Sequence, residues 1–234
     1  MPNWCDNNVF LQHEDESMIE RAEQAFNRGE LISEFFPCPK ELTETVSGYC
    51  GEGTYAQELL DFKQKLNIKW FGSANWFDWA VSNWGTKWDV GVSGGGGDGY
   101  VSRSPNSLTL SFMSAWSPPT GFYEKLEDLG FTVKAYYYEG GCAFCGIWEN
   151  DRDEQYSIDG NAKWVIENIP AVLDNEFCIS SNMAEWNCQE LQELIDELEQ
   201  KITGEGCEET CKKYRKEIEE LSIQLKEIEE LIND

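Results

Sequence analysis

Between Cys207 and Ile232 the apolar residues Cys207, Cys211, Tyr214, Ile218, Leu221, Leu225, Ile228 and Ile232 recur at alternating steps of four and three. That spacing is the heptad seam of an α-helix, which must bury one stripe along its whole length against another helix. A partner precedes it: Leu191, Ile195, Leu198 and Ile202 repeat the same steps, and Thr203-Gly204-Glu205-Gly206 interrupts the helix between the two segments. The pattern predicts an α-helical hairpin, a coiled coil, as a domain of residues 186–234. Leu194 beside Ile195 widens the apolar face of the first helix beyond what one antiparallel partner covers. The surplus predicts pairing with a second copy, a homodimer through the hairpin, or docking on a partner protein.

Charge narrows the functions open to such a chain. Eighteen Lys and Arg stand against 44 Asp and Glu, a net charge of −26 on 234 residues. This excess repels phosphate backbones and anionic lipid surfaces, so direct nucleic-acid binding and membrane binding are not expected. It also exceeds the magnitude of about 2 to 8 that keeps a small domain soluble. Carboxylates in such number suit a basic groove on another protein, where they stand in for phosphates. Ten Trp, nine Tyr and twelve Phe separate this chain from disordered acidic sequences and predict a packed core. No apolar run reaches the ~20 residues of a bilayer crossing. Nine cysteines behind an opening Met1-Pro2-Asn3-Trp4-Cys5-Asp6 that lacks the pattern of a secretory leader predict reduced thiols in the cytoplasm. The single histidine, His13, removes schemes that need several imidazoles, and no nucleophile and base are recognisably paired, so the chain is not expected to be an enzyme.

Along the first 185 residues, patterns of period two and 3.6 alternate. Asn8 to His13 has a strand's composition, and Ser17 to Arg28 has helical spacing with Ser17 as the N-cap. Leu31 to Pro39 is an apolar segment that two prolines close in a turn, and Thr54 to Leu66 predicts a second helix. The glycine run Gly94 to Gly97, with Asp98 and Gly99, is read as a surface turn, because no Lys-Ser or Lys-Thr follows to complete a phosphate cradle. Ser107 to Phe112 alternates as a strand, Thr120 to Leu129 is helical and stops at Gly130, and Phe131 to Tyr137 alternates again. Gly140-Gly141 turns the chain so that Ala143 to Trp148 returns as a hairpin partner, before an acidic turn at 149–154.

Four strings stand out in this region: Met1-Pro2-Asn3-Trp4-Cys5 with Asn7 or Asn8, the block from Trp79 through Asn83-Trp84-Gly85-Thr86-Lys87-Trp88-Asp89, the block Phe112 through Ala115-Trp116-Ser117-Pro118-Pro119, and Tyr138-Glu139-Gly140 with Gly146. Together they resemble the YubB-type ferredoxin-like domain family of phage and plasmid proteins. The match covers about residues 1–150. It implies an α+β fold, a ferredoxin-like βαββαβ sandwich with insertions, as a domain of residues 1–185 ahead of the hairpin. It also implies a protein of mobile elements acting in the host cytoplasm, and it carries no catalytic residues.

The tryptophan-rich blocks hold the candidate site. Trp79, Asn83, Trp84, Lys87, Trp88, Asp89 and Trp116 mix broad apolar rings with a few polar groups, a composition that suits a stacked ligand or a partner and equally suits a core that staples sheet to helices. Cys142 and Cys145 are half of a zinc pattern; Cys207 and Cys211, the other close pair, fit the heptad seam as packing residues. No cofactor is therefore expected, with structural zinc at Cys142 and Cys145 as the alternative. Asp78, Asp89, Glu139 and the acidic turn offer carboxylates without a partner in a catalytic role. Together these features predict a non-enzymatic, phage- or plasmid-encoded binding protein. It would occupy and inhibit a host protein with a basic surface, a nucleic-acid-handling defence factor, by acidic mimicry (anti-defence). The alternative is a protein that sequesters a nucleotide or other small ligand in a Trp-rich pocket.

Overall fold

The computed structural model describes residues 3–92, 99–204 and 207–233. The chain is a mixed α+β protein with one six-stranded antiparallel sheet and long C-terminal helices. It divides into two compact units, Met1–Ser157 and Ile158–Asp234.

In the first unit, strand β1 (Trp4–Gln12) alternates strictly: Cys5, Asn7, Val9 and Leu11 are buried and the residues between them are not. Such alternation buries one face of a sheet and leaves the other to solvent. β1 takes the centre, paired on one side with β3 (Ser107–Ala115) and on the other with β4 (Thr132–Glu139). β2 (Tyr100–Ser104), β5 (Phe144–Glu149) and β6 (Arg152–Ser157) complete the order β2-β3-β1-β4-β5-β6. Helices α1 (Glu16–Arg28) and α6 (Thr120–Asp128) contribute Ile19, Ala22, Ala25 and Phe26, and Phe122, Tyr123 and Leu126, to the core, against Leu108, Leu110, Val133 and Ala135 of the sheet. Each fully buried Val, Leu, Ile or Phe among them stabilises the fold by about 1.5–3 kcal/mol.

Between α1 and β2 the chain inserts α2 (Leu31–Phe35), α3 (Lys40–Thr43), α4 (Tyr55–Phe71) and α5 (Trp76–Trp84). Several boundaries differ from those expected. The N-cap of α1 is Asp15, extended at φ −88° and accepting from the Ser17 N–H, so Ser17 lies inside the helix. The segment after Leu31 makes a helical turn before its prolines because a carboxylate 57 residues away caps it, as described below. α4 starts at its Thr54 cap as expected but runs five residues past Leu66, to a left-handed Gly72 at φ 74°. The acidic turn is shorter than read: Asn150 and Asp151, both at φ 56°, form a two-residue hairpin turn, and Arg152 to Glu154 already belong to β6. That strand lacks apolar alternation because it is a charged sheet edge. The glycine run and Asp98 lie outside the described residues.

The second unit begins 28 residues before the expected boundary at 186. Its extra length is α7 (Ala162–Asn168) and α8 (Ala171–Phe177), which bury Ala162, Val165 and Leu173 beside the start of α9 (Ile179–Gly204). Asp174 fixes that start by accepting from the backbone N–H and hydroxyl of Ser180, both at 2.7 Å. α9 and α10 (Glu208–Asn233) pair along the predicted seam: Ala184, Cys188, Leu191, Ile195, Leu198 and Ile202 of one helix, and Cys211, Tyr214, Ile218, Leu221, Leu225 and Ile228 of the other, are withdrawn from solvent between exposed neighbours. Cys207, just before α10, is exposed, as is Leu194. Among the described residues no helix is long and apolar enough to cross a membrane.

One carboxylate of the first unit carries a pH signature. Burial and the neighbouring Asp151 carboxylate push Glu127 up to about 7, against the pull of the Asp151 backbone N–H, which Glu127 accepts at 3.2 Å. A carboxyl raised in the folded state favours folding while protonated, and that contribution is lost as pH rises through about 7. Glu127→Gln is therefore expected to flatten the decline of melting temperature between pH 5 and pH 8, measured by differential scanning calorimetry at matched ionic strength. An unchanged slope overturns the assignment.

Candidate binding site

The first tryptophan block divides between core and surface along the helical period. Asn75 caps α5, accepting from the N–H groups of Phe77 and Asp78 at 2.9 and 3.2 Å. Trp79 and Trp84 fall on the inner side and are 6% and 7% exposed. Their rings meet edge to face at 5.7 Å, Trp79 also contacts Phe36, and the Trp84 indole N–H donates to the Phe36 carbonyl at 2.8 Å. Both are core residues. Asn83 donates to the Trp79 carbonyl one turn back within the helix.

Asp89 is a structural cap. Its two carboxylate oxygens accept from the N–H groups of Ile32 at 2.7 Å, Ser33 at 2.9 Å and Val90 at 2.9 Å. The first turn of α2, whose own preceding residue Glu30 offers no side-chain cap, is thereby satisfied from a distant segment. Burial raises the Asp89 carboxyl above its ordinary value, and the three backbone donors pull against that rise.

Lys87, Trp88 and Trp116 come together at one end of the sheet. Gly85 ends α5 at φ 87°, and the next residue, Thr86, both donates to the Ala115 carbonyl and accepts from the Ala115 N–H, each at 3.1 Å. The loop is thus stitched to the end of β3, immediately before Trp116. Trp116 holds φ 68°, a left-handed conformation that costs a bulky residue on the order of 1–3 kcal/mol. Its N–H donates to the Asn3 carbonyl at 2.9 Å, and the flanking turn is tied by Ser114 to the Ser117 carbonyl and by Ser117 to the Gly85 carbonyl. The strained backbone leaves the ring 40% exposed.

The Lys87 ammonium lies over three aromatic faces, 4.5 Å from the Trp88 centroid, 5.1 Å from Trp116 and 5.3 Å from Phe77. Trp4 extends this group, 5.9 Å from Trp88, and Phe77 meets Trp116 edge to face at 6.2 Å. Cation–π contacts of this kind are worth about 0.5–1 kcal/mol at exposed sites and about 2 when desolvated. Among the described residues no carboxylate lies within ion-pairing distance of Lys87, in a chain with 44 acids. The arrangement presents rings for stacking around a cation with unspent charge.

Trp4 and Phe77 were not among the expected site residues. Trp4 reaches the cluster because β1 pairs it with Ala115, a register 111 residues apart in sequence. The helical offset of Phe77 from Trp79 was readable, but it pointed only to a different side of α5.

Cys142 is exposed in the β4–β5 turn, where its sulfur accepts from the Asn3 side-chain amide at 3.6 Å, and Cys145 is buried on β5 opposite Tyr138. Neither sulfur is in a disulfide, and among the described residues no group of three or more His, Cys, Asp or Glu is arranged to hold a metal ion. Glu139 is 1% exposed and accepts from the N–H groups of Gly141 and Cys142, which shapes that turn. Asp78 accepts from the Asn75 amide at the start of α5.

No family model matches the chain, and no curated protein matches it. Among solved structures it is similar to the crystal structure of a protein api92 from Yersinia pseudotuberculosis, of family model DUF1281. The two are 11% identical, the match covers 68% of this chain and 100% of that one, and the TM-score is 0.34. A superposition that loose transfers neither fold nor role.

The different duties of these residues predict a clear contrast in stability. Asp89→Ala orphans three backbone donors and is expected to cost about 2–4 kcal/mol, whereas Trp116→Ala, at a half-exposed ring, is expected to cost less than about 1 kcal/mol. Urea denaturation of the two variants beside the parent chain measures both. Equal losses would place Trp116 among the structural residues.

Proposed function

We propose that this chain is a non-enzymatic binding protein of a phage or plasmid that occupies a basic host protein in the cytoplasm and blocks its contact with nucleic acid. The observation that carries the reading is the charge on α9. Glu185, Glu190, Glu193, Asp196, Glu197 and Glu199 lie on this one rigid helix beside a single basic residue, Lys201, which pairs with Glu197. Carboxylates three or four residues apart on a helix are about 4.5–6 Å apart along its axis. That is the same order as the spacing of about 3.4 Å per phosphate along a nucleic-acid strand. Elsewhere the bases are largely consumed by neighbouring acids: Arg21 and Arg28 by Glu34, Arg103 by Glu16 and Glu23, and Lys134 by Glu149. The net negative field is left uncompensated.

The mobile-element setting rests on the family resemblance, and the topology supports the ferredoxin-like part of it. The elements β1-α1-β2-β3-α6-β4 follow a βαββαβ order, and their strands lie β2-β3-β1-β4, antiparallel throughout. On this reading α2 to α5 are an insertion between the first helix and the second strand, and β5 and β6 extend one sheet edge.

A charge-driven complex weakens as salt shortens the Debye length, about 8 Å at physiological ionic strength. Partners captured from bacterial lysate by the full chain are expected to be basic nucleic-acid-binding proteins, released by moderate salt and displaced by duplex DNA. Retention indifferent to both salt and DNA sinks the mimicry reading.

The Lys87 cluster favours a second reading, a receptor for a flat aromatic ligand carrying an anionic group, such as a nucleotide. The rings of Trp88 and Trp116 would stack and Lys87 would meet the phosphate. In that case nucleotides quench the tryptophan fluorescence, and Trp116→Ala weakens binding by about 1–3 kcal/mol with the fold intact. The absence of any quenching across the common nucleotides removes this reading.

A further inference from the structure

α4 buries little of itself. Leu60 and Asn67 face inward, with the Asn67 amide donating to the Thr45 hydroxyl and the Ala74 carbonyl, both at 3.0 Å, and Phe71 packs at the edge of the core. On another side of the helix Tyr55, Leu59, Phe62, Leu66 and Trp70 follow one another at steps of four, three, four and four. At 3.6 residues per turn these five fall within an arc of about 80°. Tyr55 is 80% exposed, Phe62 59%, Trp70 63% and Leu59 44%. This is the apolar stripe of a helix with a partner, on a helix that has none along that face among the described residues.

The charges flanking the stripe identify the partner. Glu58 and Asp61 occupy the N-terminal half of α4 and Lys63, Lys65 and Lys69 the C-terminal half, with no acid among the second group and no base among the first. None of the three lysines forms an ion pair among the described residues. Glu58, Lys65 and Lys69 border the same edge of the stripe. A helix laid antiparallel across an identical helix, with the two-fold axis near Phe62, sets Glu58 of each against Lys65 of the other, because residues equidistant from the axis meet. The distribution also complements the dipole of α4 itself, and an isologous pairing uses it twice.

We infer that α4 is a self-association surface, and that two copies of this chain pair antiparallel through Tyr55, Leu59, Phe62, Leu66 and Trp70. A net charge of −26 opposes self-association nearly everywhere on the chain. On α4, two acids face three bases, and like-charge repulsion is locally absent. Aromatic side chains bring 150–250 Å² each, so the exposed fractions of Tyr55, Phe62 and Trp70 alone supply on the order of 400 Å² of apolar surface per copy. Leu59, Leu66 and the charged rim add to this, toward the ~800 Å² per partner of a standard interface.

Sedimentation velocity of the full chain over a wide concentration range tests it, with circular dichroism to verify each variant's fold. The parent chain is expected to dimerise, and Phe62→Glu to be monomeric. Glu58→Lys is expected to raise the dissociation constant about tenfold through two symmetric repulsions, and the double variant Glu58→Lys with Lys65→Glu to restore it. If Phe62→Glu misfolds, Tyr55→Glu at its 80% exposed site takes its place. A chain that is monomeric at all concentrations overturns the inference. So does a dimer that survives Phe62→Glu but is lost with Leu194→Glu on the hairpin, and so does a monomer that instead co-sediments with phosphatidylcholine vesicles through the α4 stripe.

Discussion

The two-residue alternation of β1 is the constraint on which the rest of the first unit depends. A one-residue slip would move Cys5, Val9 and Leu11 to the open face and bring Trp4, Asn8 and Phe10 into the core. The register is pinned further by a polar group in that core. Asn7, 1% exposed, donates to the Cys5 carbonyl and the Ser114 hydroxyl, and its carbonyl oxygen accepts from the Tyr123 hydroxyl. Slippage would break these bonds and leave several buried polar atoms unpaired, at about 1–3 kcal/mol each. Central strand, second central strand and helix α6 are thus locked at one point.

From that point the lock runs outward to the candidate site. Ser114 receives from Asn7 and donates to the Ser117 carbonyl, Ser117 donates to the Gly85 carbonyl, and Thr86 closes on both backbone groups of Ala115. Trp116 sits inside this ring of bonds in a conformation that it would not hold alone. The site is therefore a consequence of how the sheet ends. Close approach of the neighbouring helices is part of the same geometry: a Cβ on Gly121 would stand 2.1 Å from the Asn83 carbonyl oxygen, so the start of α6 can lie against the end of α5 only with glycine there.

Electrostatics separates the chain into surfaces with different uses. The helical hairpin and the β6 edge of the sheet hold acids in excess, where carboxylates repel one another and any anionic partner. Two places depart from this. At Lys87 a cation is held by rings instead of carboxylates, and on α4 opposite charges are segregated along one helix. In each, aromatic rings lie beside the unspent charge, which is the composition that marks contact surfaces on proteins.

Much of this was legible in the chain itself. The hairpin seam, the strands around Val9, Leu110 and Val133, and the helices after Asp15, Thr54 and Pro119 follow from periods of 3.5, 2 and 3.6, because these patterns are local and each is read within a dozen residues. The charged edge strand β6, the short helix α2 and the start of the second unit at Ile158 were not legible, since each depends on a partner distant in sequence or on packing that leaves no periodic trace. The same reason divides the seven candidate site residues. Their types and proximity were plain in two short blocks, but only the tertiary structure decided that Trp79 and Trp84 go to the core, that Asp89 caps a helix 57 residues away, and that Lys87, Trp88 and Trp116 meet Trp4 at the surface. A side chain's duty is set by which backbone groups and which rings arrive beside it, and those arrive through strand register and loop closure, which a linear pattern does not encode.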